Sequence, residues 1–179
     1  SHGALQALSE RRPLISAPYI SALGNLVVFI SQPIHDRQGN YLGYVGGSIY
    51  LQQHNILNTL LGEHHYKDGS YLYVIDRDRR LLYHPEAARI GEVVHGNPVI
   101  EDVIRGQDGS RRLINSRGVD MLAGYAPVPS TGWGIVSQRP TASVMAKLRS
   151  LMLGVLSNAV PFSLLSLLAI WGLARMVSQ

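Results

Sequence analysis

The sequence contains no cysteine. That excludes a disulfide framework, a thiolate metal site and a cysteine nucleophile; it is compatible with an oxidising compartment without fixing one. Acidic residues are missing from one end. Residues 1–146 hold 13 of the 16 Lys+Arg and all 12 Asp+Glu, so the charges beyond them are Lys147, Arg149 and Arg175 alone. Most of the net charge of +4 thus flanks one apolar segment. A nucleic-acid partner, which needs Lys and Arg gathered on one face or stripe, is not indicated. Catalytic signatures are lacking too: neither H-E-x-x-H nor G-x-S-x-G occurs. What is present is a 179-residue chain, 46% hydrophobic and 16% charged, long enough for one ordinary domain or two small ones. Its composition is globular and leans towards membrane.

The apolar segment is LMLGVLSNAVPFSLLSLLAIWGLA, 24 uncharged residues at 151–174. A helix needs about 20 such residues to cross a bilayer core. Trp171 suits an interface, and a spanning helix tolerates Asn158 and Pro161 where neighbouring helices satisfy the freed backbone groups. A buried core helix of this length would normally alternate with polar positions. Basic residues on both sides leave the segment's orientation open.

Upstream, residues 3–10 read as the tail of a helix ended by Pro13. LVVFISQPI (26–34) and YLGYVGGSIYL (41–51) form a hairpin around HDRQGN, with Gly43, Gly46 and Gly47 marking a bulge or a close approach. A helix is expected over 52–62, stopped by Gly62. The densest polar cluster follows, in DGSYLYVIDRDRRLLYHP at 68–85. Asp76–Arg80 fails as a calcium loop because Arg80 occupies the fifth position, where an acid or amide is required. His64 and His65, adjacent, cannot converge on one metal if extended. The cluster reads as a solvent-facing turn between strands 71–75 and 81–83, with aspartates capping backbone amides. Asn97-Pro98 opens a short helix ended by Gly106. Strands at 109–115, 120–127 and 133–138 complete an α+β arrangement with an antiparallel sheet and flanking helices. Pro140 starts a helix with no breaker before the apolar segment.

PYIS (18–21), FISQPIHDRQGNYLGYVGGSIYL (29–51), the 68–85 stretch, RIGE (89–92) and GYAPVPSTGWGIV (124–136), ending in a helix that enters a membrane span, resemble the double Cache (tandem PAS-like) sensor regions of bacterial transmembrane receptors. The resemblance implies the C-terminal part of a membrane-distal module at 1–62, a membrane-proximal module at 63–139, a linker helix at 140–150 and a transmembrane helix at 151–174. A complete member would begin with a first span and the first half of the distal module; without that half, a strand edge and an apolar face lie uncovered. The family's sensor faces the periplasm, the receptor sits in the inner membrane as a homodimer, and a cytoplasmic output follows the second span. Overall likeness favours a diguanylate cyclase output, with a chemoreceptor, a histidine kinase or a ligand-free dimerisation module as alternatives.

The resemblance also places ligand contacts. In members that bind amino acids, a tyrosine and a following acid, and an aspartate after a Gly-Gly pair, face the ligand. Tyr19 stands at the tyrosine, while Ser21 and Ser48 stand where the two acids would be. An ammonium buried without a counter-charge is strongly disfavoured. The implied ligand is therefore a small molecule other than an ordinary amino acid, held by Tyr19, Ser21 and Ser48, with no cofactor, no metal and no catalytic residue.

Overall fold

A computed structural model describes residues 2–62 and 68–177. The pair His64-His65 lies outside them. The chain divides into two compact units, residues 1–140 and 141–179.

The first unit holds two antiparallel sheets. In the first, β3 (Leu26–His35) is central. It pairs along one edge with β1 (Leu14–Ile15) and β2 (Tyr19–Ile20), and along the other with β4 (Tyr41–Tyr50). The ladder shifts register at Ile34/His35, opposite Gly43, and a side chain at Gly46 would meet the Ile30 carbonyl at 2.8 Å. Those two glycines fill the bulge and close-approach roles expected of them; Gly47 borders open space. Helix α1 (His2–Glu10) lies on the face that carries Phe29 and buries Ala7 against Leu14 and Phe29. Ile20, Leu23, Ile34, Leu42 and Val45 stay exposed.

The second sheet runs β6 (Leu81–Tyr83), β5 (Tyr71–Ile75), β9 (Trp133–Pro140), β8 (Asp120–Val128), β7 (Gly109–Ile114). Side chains alternate across its strands. One face offers Val74 and Leu82, which bury against Leu26, Val28 and Leu51 and so join the two sheets. The other offers Tyr73, Ile75 and Val136 to the helix α3 (Pro98–Ile104) through Val99, Ile100 and Val103. Gly134 lets α3 approach β9: a Cβ there would lie 2.6 Å from Val103. Ion pairs hold the helix at two further points, Arg79 with Glu101 at 2.7 Å and Arg111 with Asp102 at 2.9 Å.

The helix before the polar cluster is shorter than expected. It begins at Ile56 (α2, Ile56–Leu61) because Asn55 caps it, accepting from the Leu57 amide at 2.8 Å while Asn58 caps back to the Asn55 amide. Asn97 caps α3 in the same way, accepting from Val99 at 3.0 Å, with Pro98 in the first turn as expected.

Four tight turns share one design. Asp36 accepts from the amides of Gln38 and Asn40, Asp76 from those of Asp78 and Arg80, and Asn115 from those of Arg117 and Val119. Ser21 accepts from Asn25. In each, the fourth residue is left-handed: Gly24, Gly39, Arg79 and Gly118, with φ of 78°, 88°, 64° and 76°. The 76–80 turn departs from a plain solvent-facing loop in one respect. Asp76 is only 5% exposed, because its carboxylate points inward to saturate the turn's amides; burial raises its pKa.

The second unit is one helix, α4 (Thr141–Val177), which contains Pro161 without a break. It starts at Thr141, since Pro140 is the last residue of β9 and pairs with Met121. The linker helix and apolar segment expected as neighbours are thus one helix of 37 residues, about 55 Å at 1.5 Å per residue. Its stretch Thr141–Trp171 has a mean hydropathy of 1.9, long and apolar enough to cross a membrane. The side chains of Ser157, Asn158, Ser163 and Ser166 hydrogen-bond to carbonyls three or four residues back, which removes polar groups from the helix surface.

Candidate ligand site

The three expected contact residues lie on the first sheet. Tyr19 pairs with Val27 and Ser48 with Phe29. Residues opposite one another, or two apart on a strand, share a face, so Tyr19 and Ser48 look out on the same side as Phe29. Tyr19 is half-buried with its ring 5.7 Å from that of His2; Ser48 is exposed. Ser21 caps its own turn, accepting from the Asn25 amide at 3.3 Å.

A different set of residues lines a pocket on the α3 side of the second sheet. Its floor comes from β5 and β9. Tyr71 and Tyr73, two apart, project to one face, and Gln138 lies directly opposite Tyr71. The Tyr71 hydroxyl donates to Gln138 Oε1 at 2.8 Å, and Gln138 Nε2 donates to the Tyr73 hydroxyl at 3.4 Å. Asn115, at the end of β7, donates to the Tyr71 hydroxyl at 3.4 Å. Gln138 is 2% exposed, and burial raises the Tyr73 pKa.

The roof comes from α3 and from the segment after β6, where Pro85 ends the strand and a 3-10 turn spans Ala87–Arg89. His84 hangs at its start with its ring edge-on to Tyr71, centroids 5.5 Å apart. It is 5% exposed. Burial pushes its pKa down to about 4, with the Arg89 and Arg117 guanidinia adding to the effect and Glu92 opposing it. The imidazole is therefore neutral at pH 7. Arg89 reaches in from the turn, held by Glu92 at 2.7 Å.

These groups line a half-open pocket of about 40 Å³ that also touches Leu81, Val94 and Ile100. It adjoins a wider mouth of about 250 Å³ bordered by Tyr71, His84, Glu86, Arg89, Ser116 and Arg117. Glu86 and Arg117 pair with each other there. Apolar walls from Tyr71, Tyr73, Leu81, Val94 and Ile100, with a few converging polar groups, are the kind of lining found in small-molecule sites.

In the sequence, His84 reads as a strand end and Tyr71–Ile75 only as a strand. The available signal was the period-two spacing of Tyr71 and Tyr73, which puts both hydroxyls on one face. Gln138, 67 positions from Tyr71, joins them only through the β5–β9 pairing.

A profile of the Cache-domain family matches residues 6–148. The chain belongs to the Cache family. Solved structures agree at the level of fold. The extracellular domain of mmHK1S-Z3, described as a histidine kinase, superposes with a TM-score of 0.63 at 19% identity, covering 84% of this chain and 57% of its own. The ligand-binding domain of Mlp24, solved with asparagine, gives 0.56 at 22%, covering 82% and 58%. The periplasmic sensory domain of the Campylobacter jejuni chemoreceptor Tlp1 gives 0.57 at 19%, covering 79% and 56%. The chain thus spans less than three-fifths of each of these structures. No curated protein sequence is detectably similar to it. Cache domains are the extracytoplasmic sensors of membrane receptors such as chemoreceptors and histidine kinases, and the apolar helix α4 fits such a setting.

Proposed function

We propose that this Cache chain is the ligand-sensing input region of a membrane-bound signalling receptor, with its sheets in the periplasm and α4 crossing the bacterial inner membrane. The observation that carries this reading is the position of the chamber. Its floor residue Gln138 is separated from the first residue of α4 by Arg139 and Pro140 alone. A change in the chamber therefore acts on a strand that continues into the apolar helix without a linker. The ligand selects between two arrangements by its difference in affinity for them.

In this reading residues 1–62 belong to the membrane-distal module and 63–139 form the membrane-proximal one, which holds the ligand. The receptor is a homodimer, and its cytoplasmic output is a diguanylate cyclase on overall likeness, with chemotaxis and histidine-kinase outputs as the alternatives. Mlp24 was solved with asparagine. The inner chamber here has no carboxylate in its lining to balance a buried ammonium, so the ligand is other than an ordinary amino acid.

The test is a thermal-shift screen of the full chain in lipid nanodiscs against amino acids, organic acids, amines and sugars. Stabilisation by one class that disappears in Gln138→Leu supports the reading. If no compound stabilises, the chain is a ligand-free structural module. A Tyr19→Phe/Ser48→Ala chain in the same screen tests the first sheet: loss of the response there would move the site to the distal module.

A further inference from the structure

Resting on the reading of α4 as a membrane span, we infer that α4 of a second copy of this chain packs along its Leu151, Gly154 and Phe162 face, the two Asn158 side chains exchanging hydrogen bonds at the centre of the contact. The evidence begins with an amide that its own helix does not satisfy. Asn158 lies seven residues inside the uncharged stretch 151–174, about 10 Å in at 1.5 Å per residue. Ser157, Ser163 and Ser166 each give their single hydroxyl proton to a carbonyl of their own helix at 2.9 Å. Asn158 has two Nδ2 protons and a carbonyl oxygen. One proton goes to the Gly154 carbonyl at 2.8 Å. The other proton and Oδ1 have no partner among the described residues. Water would serve both at a protein surface. The hydrocarbon core holds none, so a polar side chain within a span turns to a neighbouring helix.

The chemistry of that neighbour follows. It must offer one acceptor and one donor proton at the same depth. Among the described residues, α4 is the one helix long and apolar enough to cross a membrane, and Asn158 is the one amide side chain in its apolar stretch. A second α4 related by a twofold axis supplies both groups. Each Asn158 then donates to the other's Oδ1, and the same atoms serve on both sides, as an isologous contact requires. The surrounding surface fits. Ser150, Gly154 and Asn158 succeed one another at intervals of four and so lie along one side of the helix. With Leu151, Val155 and Phe162 they line a shallow groove. Nothing lies within 4 Å of the point where a Cβ of Gly154 would sit, so a second backbone can come close, as small residues four apart allow in membrane helix pairs. None of the apolar window of α4 is buried within the chain.

The lack of cysteine makes the test clean. In the full chain in liposomes, Leu151→Cys, Val155→Cys and Phe162→Cys put single thiols on the inferred face. Leu153→Cys, Val160→Cys and Leu167→Cys put them on the opposite one. Mild oxidation should link the first three as dimers and leave the second three as monomers. Association is then read by fluorescence energy transfer between labelled chains as lipid is added. Asn158→Leu, which keeps an apolar helix, should associate at least about tenfold more weakly than the parent, and Val160→Ala should match the parent. Cross-linking from the opposite face, an Asn158→Leu chain that associates as tightly as the parent, or a parent chain that is monomeric at low lipid would overturn the inference and leave the sensing function standing. Release of the chain from liposomes by alkaline carbonate would remove the span itself, and the inference with it.

Discussion

Acid should weaken this fold through the buried His84. The imidazole is buried beside two guanidinia, and its pKa falls from 6.5 to about 4. In the unfolded chain it takes up a proton near pH 6.5; in the folded chain it does not until about pH 4. Between those values the unfolded state binds more protons, so stability declines as pH falls. At 1.36 kcal/mol per unit the full effect is about 3 kcal/mol, of which about 2 kcal/mol develops between pH 7 and pH 5. The assay is urea unfolding of the full chain in nanodiscs, followed by the fluorescence of Trp133 in a Trp171→Phe background, for the parent and for His84→Gln. Other groups titrate alike in both, so the difference between the two pH profiles isolates His84. The parent should lose about 2 kcal/mol more than the variant between pH 7 and 5. Parallel profiles would show that His84 is freely protonated in the folded protein.

Other perturbations probe the frame around the chamber. Gly134→Ala puts a methyl 2.6 Å from Val103 and should destabilise by about 1–3 kcal/mol; adding Val103→Ala should recover part of the loss in a thermal melt, whereas no recovery would mean that α3 is not seated against β9 at this point. Arg79 holds a left-handed conformation with φ of 64°, so Arg79→Gly should leave the protein about 1 kcal/mol more stable than Arg79→Ala, both having lost the Glu101 pair; equal stabilities in chemical denaturation would contradict the turn geometry. Asp76→Ala strips the buried acceptor from two turn amides and should cost about 1–3 kcal/mol, a loss readable as a lower urea midpoint.

The hairpins were legible because their signals are local. Gly39 and Asn40 mark one turn, Asp76 was read as an amide cap, and the caps Asn97 and Pro98 behave as their side chains dictate. Arg79 shows the limit of such reading. A glycine belongs at its place, but the residue reaches Glu101 on α3, 22 positions away, and tolerates the strained backbone there. The chamber was not legible for a related reason. Its polar floor unites Tyr71 with Gln138, and its mouth unites Arg89 with Ser116. Neither pair exists until β9 has inserted between β5 and β8, and no spacing along the chain announces that order. The resemblance to other sensors drew attention to Tyr19, Ser21 and Ser48, whereas the pocket lies against the other sheet.

The four self-capped turns also bear on how quickly the molecule assembles. Each carries its own acceptor within five residues, so its hairpin can close in about 1–10 microseconds without help from elsewhere. Joining β5 to β9 is a slower matter, since Ile75 meets Gly134 only after a loop of about 60 residues has closed. We expect this late pairing to be the event that creates the chamber. A ligand would then have nothing to hold while the chain is still collapsing. It would leave the folding rate untouched and lengthen the lifetime of the finished fold. A chevron plot recorded with and without ligand should accordingly move on its unfolding arm alone.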